Sequence, residues 1–118
     1  MKGLAISTDN KAQFKDFGDP IYKSAGAEVG GLIEIVHPKY LPEEFCMVVN
    51  EEGLLQKLPL NLLGSVLYGT LEHGHPIVGN IVIFREGFIN EEYDFVDMTE
   101  SDQCVLESLV DSIKNFII

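Results

Sequence analysis

A nearly continuous apolar run, which extends from Ile77 to Phe84, constrains the fold more than any other stretch of the sequence. The segment FCMVV, residues 45–49, likewise contains no polar side chain. Apolar runs without a polar/apolar alternation are typical of strands that are covered on both faces. Gly79 indicates either a bulge or the close approach of another backbone. We therefore expect a sheet whose central strands are buried from both sides.

Three other segments have weaker strand character. Residues 3–8 form a short apolar stretch that we expect to be the first strand, and residues 32–38 predict another strand that Pro38 ends. The acidic and aromatic residues 85–98 fit either an edge strand or an ordered loop. Residues 8–18 are mostly polar, and we expect an irregular segment there.

Local capping signals mark two helices before residue 70. The pair Asp19-Pro20 predicts a helix start, with the aspartate as N-cap and the proline in the first turn. The pair Gly30-Gly31 predicts the end of that helix. Asn61 is a suitable N-cap for a second helix, which Gly69 can close.

The last helix has the strongest signal. Thr99 and Asp102 are spaced as in a capping box, and apolar residues then recur at helical spacing. These are Leu106, Leu109, Val110, Ile113 and Ile117. The order of elements predicts an α+β fold, with residues 1–118 forming a single small domain. We expect a mixed or mostly antiparallel sheet of about four strands, packed by two or three helices.

The segment NEEG, residues 50–53, carries two adjacent carboxylates. Neighbouring side chains of an extended chain point in opposite directions, so the pair is poorly placed for acid–base catalysis. Asn50 and Gly53 instead fit the ends of a tight turn. We therefore expect a hairpin between FCMVV and LLQK, with Gly53 at positive φ.

The chain carries 19 acidic and 8 basic residues, for a formal net charge of −11. This balance disfavours binding to nucleic-acid phosphates and to anionic membranes. Nine carboxylates and a single lysine fall between residue 86 and the C-terminus. An acidic surface of this kind can engage a basic protein partner. The residues predicted for that contact are Glu91, Glu92, Asp94 and Asp97.

The sequence favours a soluble protein of the cytoplasm. Its first residues contain no apolar core of signal-peptide length, and no stretch approaches the roughly 20 apolar residues of a membrane span. The two cysteines, Cys46 and Cys104, have apolar neighbours, and we expect both to be buried thiols. They lack the C-x-x-C spacing of a zinc site.

His73 and His75 are separated by one glycine and followed by Pro76. On a strand, two such histidines would share a face and could bind a metal ion together. The glycine and proline favour a turn, and a catalytic zinc site needs three protein ligands. We expect no metal site, and His73 and His75 remain the weak candidates for one.

No catalytic motif stands out. The sequence lacks a G-x-S-x-G elbow, a P-loop and a G-x-G-x-x-G fingerprint, and it contains a single arginine, Arg85. We therefore predict no catalytic residues and no cofactor. Glu34 lies among apolar residues of a predicted strand, as either an exposed edge residue or a buried polar anchor.

Residues 29–84 resemble a domain-of-unknown-function family of phages and mobile elements of Firmicutes. The pattern is GG-x-IE, then a hydrophobic strand, N-E-E-G, L-P-x-N and a strand that contains glycine. It matches Gly30, Gly31, Ile33, Glu34, Asn50, Glu51, Glu52, Gly53, Leu58, Pro59, Asn61 and Gly79. The resemblance implies a small protein of mobile-element background. It implies no reaction and no catalytic residues.

Two functional hypotheses follow. The first is a non-catalytic accessory or protein-interaction domain that uses its acidic surface. The alternative is a small enzyme or metal-binding protein with a site near His73, His75 and Glu34, with Glu51 as a further candidate. A convex acidic surface favours the first hypothesis, and a pocket with convergent polar groups favours the second.

Overall fold

A computed structural model describes residues 1–70, 72 and 74–117. The elements along the chain are β1 (Lys2–Ile6), β2 (Ala12–Asp16), α1 (Ile21–Val29), β3 (Ile33–Val36), β4 (Phe45–Asn50), α2 (Leu62–Tyr68), β5 (Ile81–Ile89), β6 (Glu92–Val96) and α3 (Glu100–Ile117). No helix in these ranges combines the length and the apolar character needed to cross a bilayer.

The strands form one sheet with the order β2-β1-β5-β4-β3, and β6 pairs with the second half of β5. Every strand pair in the sheet is antiparallel. The α+β class and the antiparallel sheet are therefore confirmed. The expected number of about four strands is wrong, because the described part of the chain contains six. The segment predicted to be irregular contains β2, a half-buried edge strand whose polar residues hide its strand character.

The helices cover both faces of the sheet. On one face, α1 packs on a cluster formed by Phe17, Ala25, Val29, Cys46, Val48, Val82 and Phe84. On the other face, α2 and α3 pack on a larger cluster that includes Ile6, Phe45, Met47, Leu63, Ile81, Ile83 and Leu106. Every residue of β4 is buried, as are the first four of β5. The prediction of central strands covered on both faces is confirmed.

The strand β5 begins later than its apolar run suggests. Gly79 has φ of 77°, and its N–H donates to the carbonyl of Pro59 at 2.8 Å. A Cβ at this position would lie 2.7 Å from a methyl carbon of Leu58. Gly79 therefore ends a turn that leads into β5 at Ile81, and the predicted close approach of another backbone is confirmed.

The expected hairpin after β4 is wrong, and so is the positive φ expected for Gly53. Residues 51–57 form successive turns rather than a strand, and Gly53 is not among the left-handed glycines. The Asn50 side chain starts the first of these turns, because its Oδ1 accepts from the Glu52 N–H at 2.8 Å. Gly53 is required for space, since a Cβ there would lie 2.8 Å from a methyl carbon of Val78.

The helix α1 ends at Gly30, as predicted, with φ of 86°. Its start differs from the prediction. Pro20 itself occupies the N-cap position with an extended backbone, so Asp19 lies one residue too early to cap the helix, and no side chain does so.

Asn61 is the N-cap of α2, as predicted, and its amide also joins two other segments. Its Oδ1 accepts from the N–H of Gly64 at 2.8 Å. Its Nδ2 donates to the carbonyls of Ile6 at 3.0 Å and Gly79 at 2.9 Å. The residue is 0% exposed, so water cannot replace these bonds. One side chain therefore holds the end of β1, the start of α2 and the turn before β5.

Replacing Asn61 with Ala should lower the free energy of unfolding by about 3 kcal/mol, because it removes a cap and two further hydrogen bonds of a fully buried amide. Asn61→Asp keeps the cap and loses both donors, so most of the loss should persist. Urea unfolding measures the effect. Asn115→Ala on the exposed side of α3 is the control, and an equal loss there would contradict this role.

The capping box at the start of α3 is confirmed. The N–H of Asp102 donates to the Thr99 hydroxyl at 3.0 Å, and the Thr99 N–H donates to Asp102 Oδ2 at 2.8 Å. Arg85 of β5 also donates to both carboxylate oxygens of Asp102, at 2.6 and 2.7 Å. Burial raises the pKa of Asp102, but the hydrogen bonds from Thr99 and Arg85 outweigh it and hold the pKa below its ordinary value of 3.8.

Because the folded pKa of Asp102 is lowered, this carboxylate stabilises the fold above pH 3.8, and the contribution is lost as pH falls below that value. Asp102→Asn should therefore cost about 1–2 kcal/mol at pH 7 and less below pH 3.8. Urea unfolding midpoints of the wild type and the variant across this pH range test the direction of the pH dependence. Asp111→Asn on the exposed side of the helix should show neither effect.

Candidate functional site

The second half of β5 extends past both of its neighbours in the sheet. Pairing with β1 ends at Ile83, and pairing with β4 ends at Arg85, where pairing with β6 begins. Residues 86–96 therefore form a hairpin, called here the arm, that projects from the sheet. Asn90 and Glu91 at its tip have φ of 51° and 67°, as a tight hairpin turn with two left-handed residues requires.

The two faces of the arm differ in chemistry. Phe88 and Tyr93 are cross-strand partners with ring centroids 5.2 Å apart, and they are 65% and 75% exposed. Side chains alternate along a strand, so Glu92 and Asp94 lie on the opposite face, each across from a residue of β5. The arm thus presents an aromatic pair on one face and two carboxylates on the other.

All four residues predicted for an interaction are exposed, and three of them lie on the arm. Glu91, Glu92 and Asp94 make no ion pair with any described residue. Asp97 lies at the base of the arm, where its Oδ1 accepts from the Lys2 N–H at 3.1 Å. The first three carboxylates are therefore available to a partner, whereas Asp97 helps to hold β1.

A histidine–glutamate pair lies at the base of the arm. Nε2 of His37 is 2.6 Å from Oε1 of Glu86, beside a cavity of about 600 Å³ that Tyr93 also lines. Burial, together with the nearby Glu86 carboxylate, raises the pKa of the Cys46 thiol to about 12. Cys46 is therefore a structural thiol and not a nucleophile. Sequence reasoning missed the His37–Glu86 pair, because the two residues are 49 positions apart and only the strand register brings them together.

A second candidate site lies at the opposite end of the sheet, where β4 ends and β5 begins. A cleft of about 400 Å³, called here the glutamate–histidine cleft, is lined by Glu34, Val36, Val49, Asn50, Glu51, Leu54, Leu55, Tyr68, His75, Pro76, Ile77 and Val78. Of the residues proposed for the alternative function, the structure thus brings Glu34, Glu51 and His75 to one place. His73 lies outside the described residues.

Glu34 is exposed on the edge strand β3, so the edge interpretation is correct and the buried-anchor interpretation is wrong. Its register partner is Val49, and both line the cleft. Among the described residues, no three of the His, Cys, Asp and Glu side chains are grouped so as to hold a metal ion.

Several other polar and glycine residues of the sequence pattern serve the fold around this cleft. Asn50 donates from Nδ2 to the carbonyl of Val29 at 3.1 Å. A Cβ on Gly31 would lie 3.1 Å from that same amide nitrogen. Gly53 and Gly79 permit close contacts with Val78 and Leu58, as described above. These residues therefore position the walls of the cleft, and the exposed glutamates Glu34, Glu51 and Glu52 are left without such a structural role.

The family model of DUF3846, a domain of unknown function, matches residues 1–111 of the chain. No curated protein and no solved structure is detectably similar to it.

The expectation that both cysteines are buried is wrong, because Cys104 is exposed on α3. In the native protein at pH 8, a disulfide-type thiol reagent should therefore modify Cys104 rapidly and Cys46 only after unfolding. The absorbance of the released thiolate measures the reaction. Cys104→Ser should remove the rapid phase, and a rapid phase that persists in this variant would contradict the assignment of Cys46.

Proposed function

Because the chain belongs to the DUF3846 family, whose function is unknown, we propose its function from its surface. The protein is a non-catalytic accessory domain that binds a basic protein partner through the arm. The mobile-element background implied by the sequence resemblance and a cytoplasmic location are parts of this proposal. Direct binding to nucleic acid or to a membrane is not part of the proposal, because a chain of charge −11 is repelled by both.

One observation carries the proposal. The arm projects from the sheet and combines exposed carboxylates with an exposed aromatic pair. Glu91, Glu92 and Asp94 face solvent with no lysine or arginine paired to them among the described residues. Such charges accelerate the encounter with a positively charged surface and select against acidic partners.

The aromatic pair supplies what the charges cannot. Exposed ion pairs contribute little net affinity, whereas buried aromatic side chains often provide most of the binding energy of an interface. Phe88 and Tyr93 contact each other in an edge-to-face arrangement, so part of their freedom is already restricted before a partner arrives. A partner that contacts both faces, with basic groups opposite the carboxylates and apolar side chains opposite the aromatic pair, therefore fits the arm best.

The alternative function, a small enzyme or metal-binding protein near His73, His75 and Glu34, has one observation in its favour. Glu34 and His75 line the same cleft. That cleft offers a place to bind a ligand. It lies at the other end of the sheet from the arm, so ligand binding there does not depend on the arm.

Neutralising the arm with Glu92→Gln and Asp94→Asn should weaken binding of a lysine- and arginine-rich peptide that also contains leucine by about tenfold, because two favourable charge interactions are lost. For the wild type, raising the salt from about 50 to about 200 mM should weaken binding several-fold, since exposed charges are screened. Isothermal titration calorimetry measures both effects.

The matched control is Glu107→Gln with Asp111→Asn, which removes the same charge from the exposed side of α3. If this control weakens binding as much as the arm variant, the peptide senses net charge and the arm is not the interface. The same pair of variants can be used to capture a partner from cell lysate. A partner retained by the control variant and lost with the arm variant would support the proposal.

A further inference from the structure

We propose that the glutamate–histidine cleft binds a small organic cation, in which an amine or guanidine group is carried on an apolar body. This inference is independent of the arm, because the cleft lies at the opposite end of β5. Its volume of about 400 Å³ falls within the range of pockets that bind small molecules.

Two carboxylates supply the recognition of positive charge. Glu34 and Glu51 both line the cleft, and neither side chain makes a hydrogen bond or an ion pair with another described residue. Glu34 lies on the face of β3 that also carries Val36 and is adjacent to Val49 of β4. An ammonium or guanidinium group in the cleft would form charge-assisted hydrogen bonds with these carboxylates.

The remaining walls are mostly apolar, which favours an organic cation over a hydrated inorganic one. Val36, Val49 and Ile77 form part of the lining, and Tyr68 adds an aromatic ring. An aromatic ring next to a cation is attracted through its negative face. A divalent metal ion would instead need several oxygen or nitrogen ligands, and among the described residues no three His, Cys, Asp or Glu side chains are grouped to supply them.

The rim of the cleft gives an independent reason to expect a ligand with an apolar body. Leu54 and Leu55 lie on the turn after β4 and are 55% and 81% exposed. Single exposed leucines are common, but two adjacent ones bordering a pocket form an apolar surface that a ligand can cover. The charged group and the apolar body of the ligand would thus contact different sides of the same cleft.

The test compares three probes that share a phenyl ring and a four-carbon chain and differ in charge: 4-phenylbutylamine, 4-phenylbutan-1-ol and 4-phenylbutyrate. Amide chemical shifts in NMR titrations of the complete chain report both the affinity and the location of binding. The amine should bind about tenfold more tightly than the alcohol, and the carboxylate should bind most weakly, because the cleft carries two carboxylates. Shifts should be concentrated at the residues that line the cleft.

Glu34→Gln with Glu51→Gln should reduce the affinity for the amine by about tenfold and leave the affinity for the alcohol nearly unchanged. Both glutamates are exposed, so the variant should fold normally. Glu107→Gln with Asp111→Asn removes the same charge far from the cleft and should change the affinity by about twofold or less, since screening limits distant charges.

Three results would overturn the proposal. The first is equal binding of the amine and the alcohol, which would mean that the cleft recognises apolar bulk alone. The second is undiminished binding of the amine to the Glu34 and Glu51 variant. The third is that a lysine-containing pentapeptide binds and the amine does not. That result would mean that the cleft binds a lysine side chain of another protein. Loss of peptide binding by the arm variants leaves this proposal unaffected.

Discussion

The rest of the structure depends on one buried amide, that of Asn61. Its three hydrogen bonds connect the end of an inner strand, the first turn of α2 and the turn that leads into the central strand. The backbone N–H of the same residue donates to the carbonyl of Ile77 at 2.8 Å. Ser65 continues this connection, since its hydroxyl accepts from the Ile77 N–H at 2.9 Å. The short segment before β5 is therefore fixed to α2, and this placement forms one wall of the glutamate–histidine cleft.

Local signals in the sequence predicted most of the regular elements. The apolar runs identified β4 and β5, because a strand buried on both faces leaves no room for polar side chains. Side-chain caps identified α2 and α3, because the unpaired N–H groups of a first turn need a nearby acceptor, and Asn61 and Thr99 each provide one. The helical periodicity of α3 also predicts that Cys104 is exposed. Cys104 is two residues from Leu106 and therefore lies on the opposite side of α3 from the buried stripe.

What the sequence could not provide was pairing between distant segments. The edge strand β2 is half-buried and polar, so its strand character comes from its partner β1 rather than from its own residues. The hairpin expected at Asn50 is wrong because an asparagine can either lie in a hairpin or start a turn through its side chain, and here its Oδ1 accepts from the Glu52 N–H. For the candidate sites, the acidic and aromatic character of the arm is visible in the sequence. Its projection and the separation of its two faces follow from strand register alone. The cleft combines four segments, namely β3, the end of β4 with the turn after it, the end of α2 and residues 75–78, and no local pattern encodes their proximity.

The projection of the arm also has a consequence for how copies of this chain behave towards one another. Beyond Glu86, no described strand pairs with β5 on the side that faces β4, and alternation directs the peptide groups of Phe88 to that side. An uncovered strand edge with exposed aromatic side chains is a template on which a second copy could add in register. The carboxylates near the tip oppose that event, since two arms aligned edge to edge would bring like charges together. The acidic residues would therefore disfavour self-assembly through the arm, in addition to any role they have in attracting a partner.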